Sequence, residues 1–110
     1  MDKTVDEYVE ELHMIEKNLQ QLVAQKQHLQ TQLIEIEGAL GELSKNPKQV
    51  FKVTGAVMIE SSLETLQKEL ETKKEMIDVK LKNIVKQEDR LRQNVKEKQE
   101  HVLKHMKKNG

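Results

Sequence analysis

The chain has 110 residues, no cysteine, two aromatic side chains (Tyr8 and Phe51) and 35% charged residues, with 19 Lys plus Arg against 19 Asp plus Glu. Disulfide frameworks, cysteine-ligated zinc and thiol nucleophiles are excluded together, and the bulky side chains that fill a thick core are almost absent. Balanced charge argues against long-range steering to nucleic acid or an anionic membrane.

The first element is a long helix. Val5, Tyr8, Leu12, Ile15, Leu19, Leu22, Lys26, Leu29, Leu33, Ile36, Leu40 and Leu43 follow at alternating spacings of three and four, and only Lys26 among them is polar. This heptad seam predicts a helix over about 4–44, roughly 60 Å long at about 1.5 Å per residue, that buries a narrow stripe against another helix. Lys26 has two readings. A polar residue in a seam can set register or partner choice; the favoured reading is a lysine whose stem packs while its ammonium reaches water. Gly38 and Gly41 lie inside this helix and weaken it by about 1 kcal/mol each relative to alanine. The stop is Ser44-Lys45-Asn46-Pro47, because proline lacks the amide proton and disfavours helical geometry at Asn46.

A β-hairpin is expected next, over about 49–60. Gln49 to Val53 and Ala56 to Glu60 are rich in β-branched residues, and Thr54-Gly55 between them supplies a positive φ at the glycine. By parity, Phe51, Val53, Val57 and Ile59 fall on one face and Val50 and Met58 on the other, so both faces are apolar. A lone two-stranded hairpin is marginal in water and leaves two open edges, which predicts pairing with other subunits.

The second helix is expected over about 61–107, opened by a Ser61-x-x-Glu64 capping box. Its seam passes through Leu63, Leu66, Leu70, Ile77, Leu81, Ile84, Leu91, Val95 and Val102, with Glu88 and Lys98 where apolar residues would fit. The phase slips by four residues around Lys74 to Leu81, a stutter that loosens a left-handed supercoil. Folding back across the hairpin pairs residues whose numbers sum to roughly 108. The fold class is thus all-α dominated, a long antiparallel coiled-coil helical hairpin with one central β-hairpin, in a single domain over 1–110. Both chain ends then meet at one tip, which carries Val5, Tyr8, Val9, Leu12, Val102, Leu103 and Met106. Each of these reads equally well as a contact residue or as the end of the seam, and Val9 and Leu103 stand out because they fall beside it.

Other chemistry finds little support. His101 and His105 lie four apart and could share a metal, but there is no HExxH motif and no third ligand at a suggestive spacing, so a solvated pair is favoured. No catalytic residue, metal or cofactor is expected. The acidic amphipathic start, MDKTVDEYVEE, does not resemble a signal peptide, and no apolar run approaches the roughly 20 residues that span a bilayer. A soluble cytoplasmic protein is expected.

The segment from Val50 to Ile59, with its aromatic-Lys-x-x-Gly pattern, resembles the β-class subunits of prefoldin, the hexameric chaperone also called the GimC complex. Gln87-Glu88-Asp89-Arg90-Leu91 is similar to that family too, and the likeness extends over essentially the whole chain. The second hairpin of the α class is absent, and Ala56 departs from the small polar or turn-forming residue more usual after the glycine.

The resemblance implies a hexamer of two α-class and four β-class subunits in archaea, or six distinct subunits in eukaryotes. The hairpins would join an intersubunit β-barrel through Val50, Phe51, Val53, Gly55, Val57, Met58 and Ile59. The distal tips would hold unfolded polypeptides without ATP and pass them to a group II chaperonin. A structural coiled-coil tether is the alternative, although it would not need a hairpin apolar on both faces. An RNA-binding arm should show a basic face and stacking aromatics, which this sequence lacks.

Overall fold

In a computed structural model, described here for residues 4–109, the element order is helix α1 (Val5–Leu43), strand β1 (Val50–Thr54), strand β2 (Val57–Ser61) and helix α2 (Leu63–Asn109). The chain forms two compact units. One gathers residues up to Gln27 and from Lys82 onward; the other is His28–Leu81.

Local chemistry explains where each helix begins and ends. Thr4 caps α1, its Oγ1 accepting from the Glu7 amide at 3.2 Å, and Asp6 and Glu7 place carboxylates at the positive end of the helix dipole. At the other end the Lys45 and Asn46 amides donate to the Glu42 and Leu43 carbonyls, each at 3.2 Å, which tightens the last turn. Asn46 then takes a φ of +54°, a left-handed conformation that asparagine tolerates and that stops the helix just before Pro47.

The second cap differs from the expected box. Ser61 belongs to β2, and the cap is Ser62, whose Oγ accepts from the Thr65 amide at 3.2 Å and donates to Thr65 Oγ1 at 2.6 Å. The hairpin uses one more residue than the sequence reading allowed. That moves the third helical position from Glu64 to Thr65.

The hairpin also corrects the face assignment. Val53 pairs with Met58 and Thr54 with Val57, so the turn consists of Gly55 and Ala56. Positive φ at the first of these alone, +62° at Gly55, marks a type II′ turn, whose twist suits a two-residue hairpin loop. Residues directly opposite share a face. Phe51, Val53, Met58 and Glu60 therefore lie on one side, while Val50, Lys52, Val57, Ile59 and Ser61 lie on the other. Both faces remain apolar, but Val57 and Ile59 do not share one with Phe51 and Val53.

Within the unit His28–Leu81, burial is reached by Ile36, Leu43, Val50 and Ile77. Lys52 on the Val50 face reaches Glu69 of α2 at 2.9 Å, and Lys74 lies 3.7 Å from Glu37. Half-buried Leu66, Leu70 and Lys74, with Lys73 exposed, put the two consecutive four-residue steps of the stutter about two turns earlier than the spacing suggested. Gly38 and Gly41 are exposed, and a Cβ built on either meets nothing within 4 Å. Alanine at both positions is expected to stabilise the chain by about 1 kcal/mol per site. Thermal unfolding followed by circular dichroism should show a rise of several degrees.

In the other unit the helices run antiparallel, with Glu11 opposite Lys98 and Lys26 opposite Glu88. Ile84 and Glu88 are buried; beyond Glu88 no described side chain of α2 reaches burial. Among the described residues no helix is long and apolar enough to cross a membrane.

Candidate functional site

Two surfaces stand apart from ordinary helix exteriors, one in each unit. The first is the hairpin. Phe51, Val53, Val57, Met58 and Ile59 are all at least half exposed, up to 66% for Val53 and Met58, whereas Val50 is buried. Five large apolar side chains on a ribbon of ten residues are too many for a surface that stays in water, and the sheet has only these two strands. Each strand thus presents an outer edge of backbone donors and acceptors that another strand can pair. The Lys52–Glu69 ion pair braces the ribbon from below. Gly55 is required by its positive φ, where a side chain would be strained.

The second surface is the end of the unit that contains both termini. Here the predicted contact residues divide. Val5, Tyr8, Leu12 and Val102 are half-buried in the seam, while Val9, Leu103 and Met106 are exposed at 37%, 58% and 62%. Leu103 and Met106 lie three apart and share one side of α2.

His101 is exposed and His105 half-buried, and both rings meet an aromatic ring of α1. Tyr8 stacks on His101 with ring centroids 5.2 Å apart and planes inclined by 6°, and it meets His105 at 6.2 Å. The shared helical face that could have suited a metal instead wraps an aromatic ring of α1. Among the described residues no group of three or more metal-ligating side chains converges.

Lys26 also departs from its favoured reading. Its ammonium lies 2.9 Å from Oε1 and 3.1 Å from Oε2 of Glu88, so it grips a carboxylate across the helix pair instead of ending in water. Arg92 Nη2 stands 3.5 Å from the same carboxylate. The hydrogen bond from Lys26 is the main cause that holds the Glu88 carboxyl below its ordinary range, against burial, which pushes the other way. The two charged interruptions of the α2 seam are thereby accounted for, since Lys98 meets Glu11 at 3.2 Å.

Sequence reasoning passed over several exposed apolar residues, among them Met14 at 63%, Ile34 at 70% and Val79 at 58%. All lie out of phase with the heptads. An apolar residue off the seam is the signal that would have found them.

The chain matches the family model described as "Prefoldin subunit" over residues 6–109. It is 32% identical over 100 residues to "Prefoldin subunit beta" of Methanothrix thermoacetophila, covering 89% of this chain and 83% of that protein. It is 31% identical over 96 residues to "Prefoldin subunit beta" of Caldivirga maquilingensis, covering 86% and 79%. The crystal structure of the prefoldin beta subunit from Thermococcus strain KS-1 superposes with a TM-score of 0.84 at 28% identity, covering 92% of this chain and 90% of that one.

Proposed function

This chain belongs to the prefoldin subunit family, and on that footing we propose that it is a β-class subunit of a hexameric, ATP-independent chaperone. It assembles with α-class and other β-class subunits, captures unfolded polypeptides at the end that carries both termini, and delivers them to a group II chaperonin in the cytoplasm. It is a binding protein, with no catalytic residue and no cofactor.

The observation that carries this reading is the hairpin: Phe51, Val53, Val57, Met58 and Ile59 exposed on a ribbon with open edges, in a chain matched to prefoldin almost end to end. A ribbon of this kind gains stability by pairing with hairpins of other subunits into a closed barrel. Assembly then supplies multivalency. Several ends bearing Val9, Leu103 and Met106 contact one unfolded chain together, so each contact stays weak and releasable while avidity is high. Methionine suits such a surface, because its flexible thioether repacks around unrelated partners.

The test is to mix the chain with an α-class partner, confirm the mass of the assembly, and follow light scattering of a client diluted from denaturant. The assembled complex suppresses scattering. The triple variant Val9→Ser/Leu103→Ser/Met106→Ser is expected to assemble normally yet to need about tenfold more complex for the same suppression, since each site loses an exposed apolar contact and avidity multiplies the loss. Undiminished suppression would refute the assignment of these residues. A complex no larger than a dimer would favour the tether.

A further inference from the structure

The seam of the terminal unit is repetitive. In α1, Leu12, Ile15, Leu19 and Leu22 are nearly interchangeable in size, as are Ile84, Leu91 and Val95 in α2. Sliding one helix past the other by a heptad, about 10 Å, would still set aliphatic residues against aliphatic residues. Apolar packing alone therefore distinguishes poorly between alignments. Two charged residues interrupt the repeat in α2, Glu88 and Lys98, and Glu88 is the buried one: it is 4% exposed, and its two carboxylate oxygens lie 2.9 and 3.1 Å from Lys26 Nζ. A slip of seven residues in either direction would put Glu88 opposite Leu19 or Leu33, and Lys26 opposite Leu81 or Val95. A buried carboxylate would then have no cross-helix partner. Pairing like helices in parallel fares no better, because Lys26 would face Lys26 and Glu88 would face Glu88.

We propose that Lys26 and Glu88 are positioning residues that select one antiparallel alignment of α1 and α2, and so determine which side chains meet at the terminal end. The contact of Tyr8 with His101, in the same unit, depends on that alignment. Arg92, one turn beyond Glu88 and 3.5 Å from it, adds a second cation on the α2 side, so the carboxylate is held from both helices. The pair acts on alignment as well as on stability, and the two effects separate when both charges are removed together.

Because the full chain has no cysteine, spin labels can be placed at Lys17→Cys and Lys96→Cys, both exposed, and their separation measured by pulsed dipolar spectroscopy. The parent chain is expected to give one narrow distance. Lys26→Leu/Glu88→Leu keeps the helices paired, and it is expected to add a second distance population from a heptad-shifted alignment. The mirror-image variant Lys26→Glu/Glu88→Lys/Arg92→Glu is expected to restore the single parent distance. A Leu/Leu variant with the parent's single distance overturns the proposal. So does a mirror-image variant with a broad distribution, and that arm remains decisive if the Leu/Leu chain does not fold.

Discussion

Aspartate at Val53, and separately at Val57, is expected to abolish the proposed hexamer while leaving each chain helical. In the single chain Val53 is 66% exposed and Val57 58% exposed. A carboxylate at either position therefore stays in water and disturbs no packing. In the proposed barrel a face of the ribbon becomes enclosed, and an unpaired carboxylate on the enclosed face costs several kcal/mol per site. The penalty recurs in every β-class copy. Sedimentation of the mixture with an α-class partner should show only small species, with an unchanged helical circular dichroism spectrum. The two variants also report on separate faces, because the observed register puts Val53 and Val57 on opposite sides of the ribbon. A hexamer of parental stability from either variant would remove that face from the interface.

Lys26→Met is the most damaging single change expected within the chain itself. It leaves Glu88, with a side chain 5% exposed, holding only the 3.5 Å contact to Arg92. Breaking a buried pair on one side costs about 3–5 kcal/mol; because Lys26 is partly exposed and Arg92 remains, about 2–3 kcal/mol is expected near neutral pH. The cost depends on pH with a definite sign. In the parent the Glu88 carboxyl is held below its ordinary value, so the pair stabilises the fold above the unfolded value of roughly 4.5 and that contribution fades as pH falls through the lower, folded value. In Lys26→Met the main cause of that lowering is gone and burial pushes the carboxyl up. The variant thus recovers relative stability as Glu88 takes up a proton. Denaturant unfolding should show the gap between the two chains narrowing from pH 7 to pH 3. In the double variant Lys26→Met/Glu88→Gln this site should contribute no pH dependence, leaving that of the remaining carboxylates. A gap constant across that range would mean that the ion pair is not the origin of the loss.

Much of the architecture was legible because it rests on local or periodic chemistry. A three-four apolar spacing forces a helix that buries one stripe, whatever its partner. Pro47 with Asn46 ends α1, and a glycine between two β-branched runs makes a hairpin. What escaped were features set by a single residue of register. The turn centre moved from Thr54-Gly55 to Gly55-Ala56. Across a two-residue turn an odd-numbered residue lies opposite an even-numbered one, so equal parity does not mean a shared face: Met58 joins Phe51 and Val53, while Val57 and Ile59 join Val50. The cap moved from Ser61 to Ser62, as the strand runs one residue further before the helix begins.

The candidate surfaces were legible unevenly. Folding the chain back on itself put seven apolar residues at the terminal end, but exposure separates Val9, Leu103 and Met106 from Val5, Tyr8, Leu12 and Val102. Sequence by itself determined that this protein is two long amphipathic helices around an apolar hairpin, because periodicity, breakers and composition act through the chain's own backbone and solvent. Only the tertiary structure decided that Lys26 closes on Glu88, that Lys98 meets Glu11 and that His101 stacks on Tyr8. Those pairings join residues 62 to 93 positions apart. No local rule reaches that far, since a charge in a seam is a penalty until the opposite helix presents its partner.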